Sequence, residues 1–241
     1  MKDLFSSHSQ LYQKARPSYP KDVLDEILKH VNERTCAWDC GAGSGQFTQL
    51  LSPYFEEVIA TDLSQQQLDQ APVLSNVQYL AQPAEHNEFA SASFDLITVA
   101  QAIHWFNFDA FYKEVKRVLK PNGIFAVVGY GLIQAENTKL QNTIQHLYFE
   151  TLKGYWDAER HYVDESYLTI PFPFQEIQVP KLHMEYEWSA IQLLDYFSTW
   201  SAIKHYQKQN ADDPLAELKQ LFNQSDAVYK VQFPILLRVG H

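Results

Sequence analysis

The chain has 241 residues, 46% of them hydrophobic, and a formal net charge of -10. This length and apolar content suit one domain with a full core, and the acidic balance disfavours binding to a nucleic-acid backbone, which requires a basic surface. The most apolar run, GIFAVVGYGLI, is shorter than the roughly 20 residues that cross a bilayer, so we expect no membrane partner.

Strands and helices alternate at short spacing in the first half of the chain. The first predicted helix runs from Lys21 to Val31. The strands predicted after it are TCAWDC, EVIATD, VQYLAQ, SFDLITVAQ and IFAVVGY. The helices predicted between them are QFTQLLSPYF, then SQQQLDQA, which Ser64 is expected to cap, and DAFYKEVKRVLK, which PNG is expected to end. This alternation predicts a parallel sheet with helices on both faces.

The second half of the chain is predicted to complete the same sheet and to cover it. The helices predicted there are residues 135–153, SAIQLLDYFSTWSAIKHYQKQ and PLAELKQLF. The predicted strands are QEIQVPKLHMEYEW and AVYKVQFPILLRV. We therefore predict an α/β fold with a doubly wound, mostly parallel seven-stranded sheet, helices on both faces and a C-terminal helical cover.

Cysteine usage and the first residues indicate the compartment. Cys36 and Cys40 lie in one predicted strand, so they do not form a disulfide framework, and no Cys/His spacing indicates a metal site. The first twenty residues contain no apolar segment of a secretory signal peptide. We therefore expect a cytoplasmic protein that needs no metal.

A glycine-rich loop follows the first predicted strand, in AWDCGAGSGQFTQLL. Gly41, Gly43 and Gly45 alternate there, and a strand before and a helix after them are the context of a cofactor-binding turn. A dinucleotide fingerprint would place its third glycine at Gln46, and a phosphate-binding Walker loop would need a lysine that is absent. The loop thus favours a small or nucleoside cofactor over a pyrophosphate, with a purely structural turn as the alternative.

An acidic residue, Asp62, ends the second predicted strand. It follows the glycine loop at close to the roughly 20-residue spacing of a ribose-binding acid. A carboxylate there can accept hydrogen bonds from both ribose hydroxyls. Capping of the following helix is the alternative role, and the two are compatible.

Several motifs in sequence order resemble those of class I S-adenosylmethionine-dependent methyltransferases, in the small-molecule branch called methyltransferase type 11. They are WDCGAGSGQFTQLL, VIATDLSQQQLDQA, AQPAEHNEF, SFDLITVAQAIHWF and EVKRVLKPNGIFAVVGYG. A narrower resemblance, to the group of trans-aconitate methyltransferases, is carried by YQKARPSYP, QAIHWF and TWSAIKHY. The resemblance implies a Rossmann-like methyltransferase fold and S-adenosylmethionine as the cofactor.

The resemblance also implies an organisation of the chain. Residues 1–241 would form a single methyltransferase domain. Residues 1–34 would be N-terminal cap helices, 35–131 the cofactor-binding core, and 132–241 the acceptor-side helices with the final two strands of the sheet.

For the methionine part of the cofactor, the resemblance implies roles for the glycine loop. Asp39 would orient the loop and meet the cofactor's amino group. Gly41, Ala42 and Gly43 would pass under the methionine chain.

For the adenosine part, the implied contacts follow the second and third strands. Asp62 would bind the ribose hydroxyls, and Leu63 would pack on the adenine. Ala84 and Glu85 would contact the adenine edge. As an alternative, Glu85 is a surface residue that caps a short helix.

Further implied contacts come from the fourth strand and the N-terminal segment. Ala100 and Gln101 would close the other side of the cofactor. Tyr12, Arg16 and Tyr19 belong to the cap; Arg16 would pair with the cofactor's carboxylate, and Tyr19 would face the acceptor. Bracing of the cap by Arg16 and simple aromatic packing are the alternatives.

The segment QAIHWFNF follows the fourth strand, at the edge where open sheets bind ligands. Gln101, His104 and Trp105 are therefore expected to line the reaction pocket, with His104 and Trp105 on the acceptor side. His104 is the nearest candidate for a catalytic base, and a packed, hydrogen-bonded histidine is the alternative. Arg160, His161 and Lys204 can anchor an anion, although solvated charges are the favoured interpretation.

The predicted reaction is in-line methyl transfer to a small-molecule acceptor. A carboxylate acceptor is already ionised at neutral pH and needs no base, whereas a phenol or an amine would benefit from one. Two other hypotheses remain: a non-catalytic or regulatory cofactor-binding protein, and a nicotinamide-dependent oxidoreductase. Neither the acceptor nor the oligomeric state follows from the sequence.

Overall fold

A computed structural model describes residues 15–223 and 227–241. The strands in these ranges are β1 (Cys36–Cys40), β2 (Glu57–Asp62), β3 (Val77–Ala81), β4 (Phe94–Ala100), β5 (Leu119–Tyr130), β6 (Gln134–Ala135), β7 (Glu176–Ile177), β8 (His183–Ser189) and β9 (Val228–Gly240). The helices are α1 (Lys21–Leu28), α2 (Gln46–Leu51), α3 (Gln65–Leu68), α4 (Phe108–Val118), α5 (Thr138–His146), α6 (Arg160–Asp164), α7 (Ala190–Ser198), α8 (Ser201–Gln209) and α9 (Ala216–Phe222).

The first five strands form a parallel sheet in the order β3-β2-β1-β4-β5. Because the chain moves outward from β1 to β3 and then returns to β4, β1 and β4 are neighbours where the strand order reverses. Ligands of open α/β sheets bind at the carboxyl ends of the strands at such a position. The predicted α/β fold with a mostly parallel sheet is confirmed.

The last strand, β9, joins the second half of the chain to this sheet. Its second half pairs antiparallel with β5 on one flank and β7 on the other, and its first half pairs with β6 and β8. The described sheet therefore holds nine strands rather than the predicted seven. The difference arises because β5 and β6 share one flank of β9, and β7 and β8 share the other.

The core lies in two layers on opposite faces of the sheet, because successive side chains of a strand point to opposite faces. Ala37 and Leu96 pack with α1 and α2, and their neighbours Trp38 and Ile97 pack with α4. Helices α5, α7, α8 and α9 extend the first layer, and α6 adds Val163 to the second. Both faces of the parallel strands are thus covered, as their continuous apolar runs require.

Helix starts in the first half agree with the capping signals. The Ser64 hydroxyl accepts a hydrogen bond from the Gln67 amide at the start of α3. Helix α4 starts after Asn107, whose side chain accepts from the Ala110 amide.

The predicted end of α4 at the PNG sequence is wrong. The helix stops at Val118, because Leu119 is already extended and pairs with Phe94 of β4. Residues 120–123 belong to strand β5, whose register shifts between its pairings to Phe94 and Leu96. The local signal for a turn is therefore overridden by strand pairing.

Three predictions in the second half also need correction. The single strand predicted at QEIQVPKLHMEYEW is two strands, β7 and β8, separated by a segment that contains Pro180. The helix predicted over 135–153 is α5 followed by one π-helical turn, Leu147–Thr151. The run SAIQLLDYFSTWSAIKHYQKQ breaks into α7 and α8 at Thr199 and Trp200, since Trp200 is extended.

Candidate functional site

A cavity of about 190 Å³ opens at the carboxyl ends of the parallel strands. Residues at or just after the ends of β1, β2, β3, β4 and β5 all contribute to its wall. Of the residues expected at the site, those lining it are Arg16, Tyr19, Gly41, Ala42, Gly43, Asp62, Leu63, Ala84, Ala100, Gln101 and Trp105. Tyr12 lies outside the described residues. Asp39, Glu85 and His104 are not in this wall.

The glycine loop follows β1 in a left-handed conformation. Gly41, Gly43 and Gly45 have φ values of 75°, 54° and 76°. The Gly41 and Ala42 amides both donate to the Thr61 carbonyl, at 2.8 and 2.9 Å. These φ values favour glycine, and the hydrogen bonds tie the loop to the end of β2.

Asp62 organises the other side of this loop. One carboxylate oxygen accepts from the Gly43 amide at 2.9 Å, and the other accepts from the Ser64 amide at 2.8 Å. The amides of Gly41, Ala42 and Gly43 are thus engaged by protein oxygens, with a carboxylate beside them. A phosphate needs free amides and an absence of negative charge, so this loop is unsuited to a pyrophosphate.

Asp39 lies behind the loop and is fully buried. Its two oxygens accept hydrogen bonds from the hydroxyls of Thr48, at 2.6 Å, and Thr98, at 3.0 Å. Burial raises the pKa of Asp39 to about 6, against the opposing effect of these hydrogen bonds. In this position Asp39 joins β1 to α2 and β4, and contact with a cofactor stays a prediction.

The side of the cavity next to β2 and β3 combines apolar and polar wall residues. Leu63 is 42% exposed there, and Ala84 forms part of the wall. Gln82, just after β3, was missed by the sequence analysis. Its buried Nε2 atom has no hydrogen-bond partner among the described residues, which leaves a donor for a ligand. Its place directly after a strand is the signal that would have identified it.

The side chain of Glu85 does not line the main cavity. Its carboxylate accepts from the Asn107 amide at 3.0 Å, just before α4. This contact fits the alternative interpretation of Glu85 as a residue at a helix start, and contact with the adenine edge stays a prediction.

Arg16 and Tyr19, which precede α1, line the cavity as well. Arg16 donates to the Tyr130 hydroxyl at 3.1 Å, and its guanidinium lies over the ring of Tyr196. Tyr19 is buried, with its ring edge-on to Phe47 and near Tyr130. Tyr130, at the end of β5, is a further wall residue that the sequence analysis missed.

A second cavity of about 60 Å³, here called the side cavity, adjoins the first. Arg16, Gln101 and Trp105 line both cavities. The other residues of the side cavity are His104, Trp156, Asp157, Arg160, Val163, Trp200 and Ser201. The structure therefore places His104 beside the main cavity and not within its wall.

Gln101 separates the two cavities in a strained conformation. Its φ of 54° is left-handed, which is rare for a residue with a side chain. Its amide nitrogen Nε2 donates to the Tyr130 carbonyl at 3.3 Å, and its Oε1 accepts from the Tyr130 amide at 3.4 Å. The Tyr167 hydroxyl also donates to Oε1, at 3.0 Å. Such strain is a feature of functional positions.

His104 is held by Tyr167, whose hydroxyl lies 3.2 Å from its Nδ1 atom. Burial and, to a smaller extent, the charge of Arg160 lower the pKa of His104 to about 3. The imidazole is therefore neutral at physiological pH and a poor proton acceptor. This environment disfavours the role of a general base.

Arg160 is not a solvated charge, which was the interpretation favoured from the sequence. Its side chain is only 22% exposed, and its guanidinium lies over the rings of Tyr148 and Trp156, 5.4 and 5.2 Å from their centroids. Its Nε donates to the Tyr148 hydroxyl and to Asp164. No described side chain accepts from its terminal nitrogens, so their N–H groups are available in the side cavity. By contrast, His161 is exposed.

The described residues form neither a metal-binding cluster nor a helix that could cross a membrane. No group of three His, Cys, Asp or Glu side chains in residues 15–223 and 227–241 is placed to hold a metal ion. Within the same ranges, every helix is too short or too polar to span a bilayer.

The part of the chain that contains these motifs is similar to known proteins. Residues 38–127 match the family model described as a methyltransferase domain. The chain is 38% identical over 221 residues to a "putative methyltransferase" of Dictyostelium discoideum, which covers 90% of this chain and 84% of the relative. It is 34% identical over 134 residues to a "probable S-adenosylmethionine-dependent methyltransferase" of Saccharomyces cerevisiae, which covers 52% of this chain and 45% of the relative.

A solved structure shows similarity over nearly the whole chain. It is that of a "putative type II methyltransferase" from Anaeromyxobacter dehalogenans, with a TM-score of 0.86 and 36% identity. The match covers 94% of this chain and 97% of the other. A "putative methyltransferase" from Bacillus halodurans shares the fold at 18% identity and a TM-score of 0.56.

Proposed function

The chain belongs to the methyltransferase family, and from this premise we propose that it binds S-adenosylmethionine and methylates a small anionic molecule, on a carboxylate oxygen. When bound, S-adenosylmethionine would supply an activated methyl carbon that an acceptor oxygen can attack in line, with the carbon–sulfur bond breaking and neutral S-adenosylhomocysteine as the leaving group. The protein then has to bind the cofactor and the methyl acceptor, align them, and exclude water.

The observation that carries the cofactor proposal is the joint geometry of the glycine loop and Asp62. The loop amides bond to Thr61 and to Asp62, so the site suits a ligand without phosphates. A Cβ at Gly41 would lie 2.5 Å from the Cβ of Ala102, so the backbone here is as close to its neighbour as glycine allows. A methionine chain would lie along Gly41 to Gly43.

The adenosine half of the cofactor fits the neighbouring wall. A carboxylate can accept about four hydrogen bonds, so Asp62 can accept from ribose hydroxyls in addition to the amides of Gly43 and Ser64. Leu63 and Ala84 offer apolar surface for a base, and the unpartnered Nε2 of Gln82 offers it a donor. Arg16, which lines the same cavity, supplies a positive charge for the carboxylate of the cofactor.

The side cavity supports an anionic acceptor. Arg160 presents terminal N–H groups there from between two aromatic rings, and a guanidinium binds a carboxylate well. His104 is a poor base in this environment, so an acceptor that is already ionised is favoured over a phenol or an amine. The motif resemblance to trans-aconitate methyltransferases supports the same choice.

The test has two parts on the purified protein. Calorimetry should detect binding of S-adenosylmethionine and none of NAD. A screen of small carboxylic acids, phenols and amines should then release S-adenosylhomocysteine with the acids. Binding of NAD in place of S-adenosylmethionine would overturn the proposal. Cofactor binding without turnover on any acceptor would favour the non-catalytic alternative.

A further inference from the structure

The side cavity contains hydrogen-bond acceptors as well as the guanidinium of Arg160. The Oδ2 atom of Asp157 is buried and has no partner among the described residues. A buried carboxylate oxygen without a partner is costly, so it indicates a donor that the structure lacks. A simple carboxylic acid has no such donor once it is ionised.

The hydrogen-bond network around Tyr167 makes His104 a second acceptor. Gln101 is oriented by its two contacts with the Tyr130 backbone, so its Oε1 faces Tyr167 and accepts a hydrogen bond from the hydroxyl. The oxygen of Tyr167 is then an acceptor for the proton on Nδ1 of His104. In a neutral imidazole only one nitrogen carries a proton, so Nε2 holds a lone pair.

The position of Tyr167 is fixed by close packing on Gly129 of β5. A Cβ at Gly129 would lie 2.5 Å from the Tyr167 ring and 2.8 Å from the Oε1 atom of Gln101. Tyr167 is fully buried, and its carbonyl accepts from Arg238 at 3.0 Å. The ring therefore has little freedom to release His104 into the other tautomer.

We propose that the methyl acceptor is a small carboxylic acid that also carries an O–H or N–H donor. Nε2 of His104 and Oδ2 of Asp157 recognise this donor by accepting its hydrogen bonds. This inference rests on the proposed function. Arg160 binds the carboxylate, and the two hydrogen-bond acceptors select molecules that carry a donor beside it. Tyr167 is a positioning residue, because it acts on selectivity through the tautomer of His104.

The experiment compares matched acids that differ in one donor. Hydroxy acids are paired with their deoxy counterparts, and amino acids with their deaminated counterparts, and kcat/KM is measured by release of S-adenosylhomocysteine. We expect at least about a tenfold preference for the donor-bearing member, since a site with buried acceptors rejects a ligand that leaves them unpaired. The two series distinguish a hydroxyl donor from an amine.

Tyr167→Phe tests the positioning role. It should reduce the preference to about threefold or less, because Nδ1 loses its acceptor and both tautomers become populated. A merely structural defect would lower both rates and leave their ratio unchanged. The matched control is Tyr112→Phe, which removes another buried hydroxyl, bonded to the Pro171 carbonyl, and should keep the ratio.

The outcomes separate this inference from the function itself. If no acid is methylated, the proposed function fails. If acids are methylated without a donor preference, or if Tyr167→Phe keeps the wild-type preference, the function stands and this inference is overturned. A second readout is the ¹⁵N spectrum of His104, which should show a protonated Nδ1 in the wild type and a mixture in Tyr167→Phe.

Discussion

Gly41 and Ala102 pack against each other so closely that a Cβ on Gly41 would lie 2.5 Å from the Cβ of Ala102. The first residue follows β1 and the second follows β4, so this contact joins the two strands at the point where the strand order reverses. The floor of the main cavity thus depends on the absence of one side chain.

Gly41→Ala should therefore both destabilise the protein and weaken cofactor binding. The new methyl group forces the loop away from Ala102, and overpacking of this kind costs about 1–3 kcal/mol. The φ of 75° adds strain for a residue with a Cβ. Thermal unfolding and calorimetry with S-adenosylmethionine measure the two effects.

Gly154→Ala is the matched control. Gly154 also has a left-handed φ, of 83°, but a Cβ there would meet nothing within 4 Å. The substitution should lower the free energy of unfolding only by its conformational strain, about 1 kcal/mol, and should leave cofactor binding intact. Equal effects of the two substitutions would contradict the steric argument.

Asp62→Ala should weaken binding of S-adenosylmethionine by about 1–3 kcal/mol, through loss of the ribose contacts and of the Gly43 amide contact. The control is Asp69→Ala, which removes an exposed acid nearby in sequence whose carboxylate accepts from the Gln65 side chain. Unchanged affinity of the Asp62 variant by calorimetry would remove the ribose assignment.

Asp39 should make stability depend on pH in a defined window. Burial raises its pKa from 3.8 to about 6, so between these values the unfolded chain releases its proton first. The free energy of unfolding should fall as the pH rises from about 4 to 6, by up to about 3 kcal/mol relative to Asp39→Asn. Urea unfolding of both proteins across this range measures the difference. If the difference in free energy of unfolding between the two proteins did not change with pH, this prediction would be contradicted.

His104 should leave no step in the pH dependence of methyl transfer near neutrality. Because its pKa is lowered to about 3, the imidazole stays neutral from about pH 4 upward. The profile of kcat/KM for a carboxylic acid between pH 5 and 9 should have the same shape in the wild type and in His104→Asn. A step near pH 6.5 that disappears in the variant would instead identify a base.

Arg160→Gln should raise KM for acid acceptors about 10- to 100-fold, the range expected when a hydrogen bond to a charged group is lost. Cofactor affinity should change little, because Arg160 does not line the main cavity. Steady-state kinetics and calorimetry separate the two. Lys153→Gln removes an exposed charge nearby in sequence and serves as the control; an equal rise in KM there would indicate a general effect of charge.

The alternating half of the fold was predictable because its signals are local. Apolar runs such as LITVA before Gln101 identify buried parallel strands, and Ser64 marks its helix start. The alternation also implies that residues after each strand gather at one edge. The glycine loop and Asp62 were identified on this basis.

The sequence analysis named Gln101, His104, Trp105 and Arg160 as candidates, but their assembly into the side cavity was not predictable, because its contacts are distant in sequence. Arg160 and His104 are separated by more than fifty residues, and α6 is a five-residue helix without a periodic pattern. The tautomer of His104 depends on Tyr167 and Gln101, which meet only because Gly129 leaves room between them. The early end of α4 has the same cause, since strand pairing at Leu119 outweighs the local turn signal.

The pairing of strand β9 affects how this chain can fold during its synthesis. It pairs with β5, β6, β7 and β8, all of which are synthesised before it. Until it emerges, the outer edge of β5 is open and β8 has no partner, and open edges attract other chains. The nascent protein should therefore be exposed to edge-to-edge aggregation from the synthesis of β5 until β9 emerges, after the glycine loop and Asp62 have already been made.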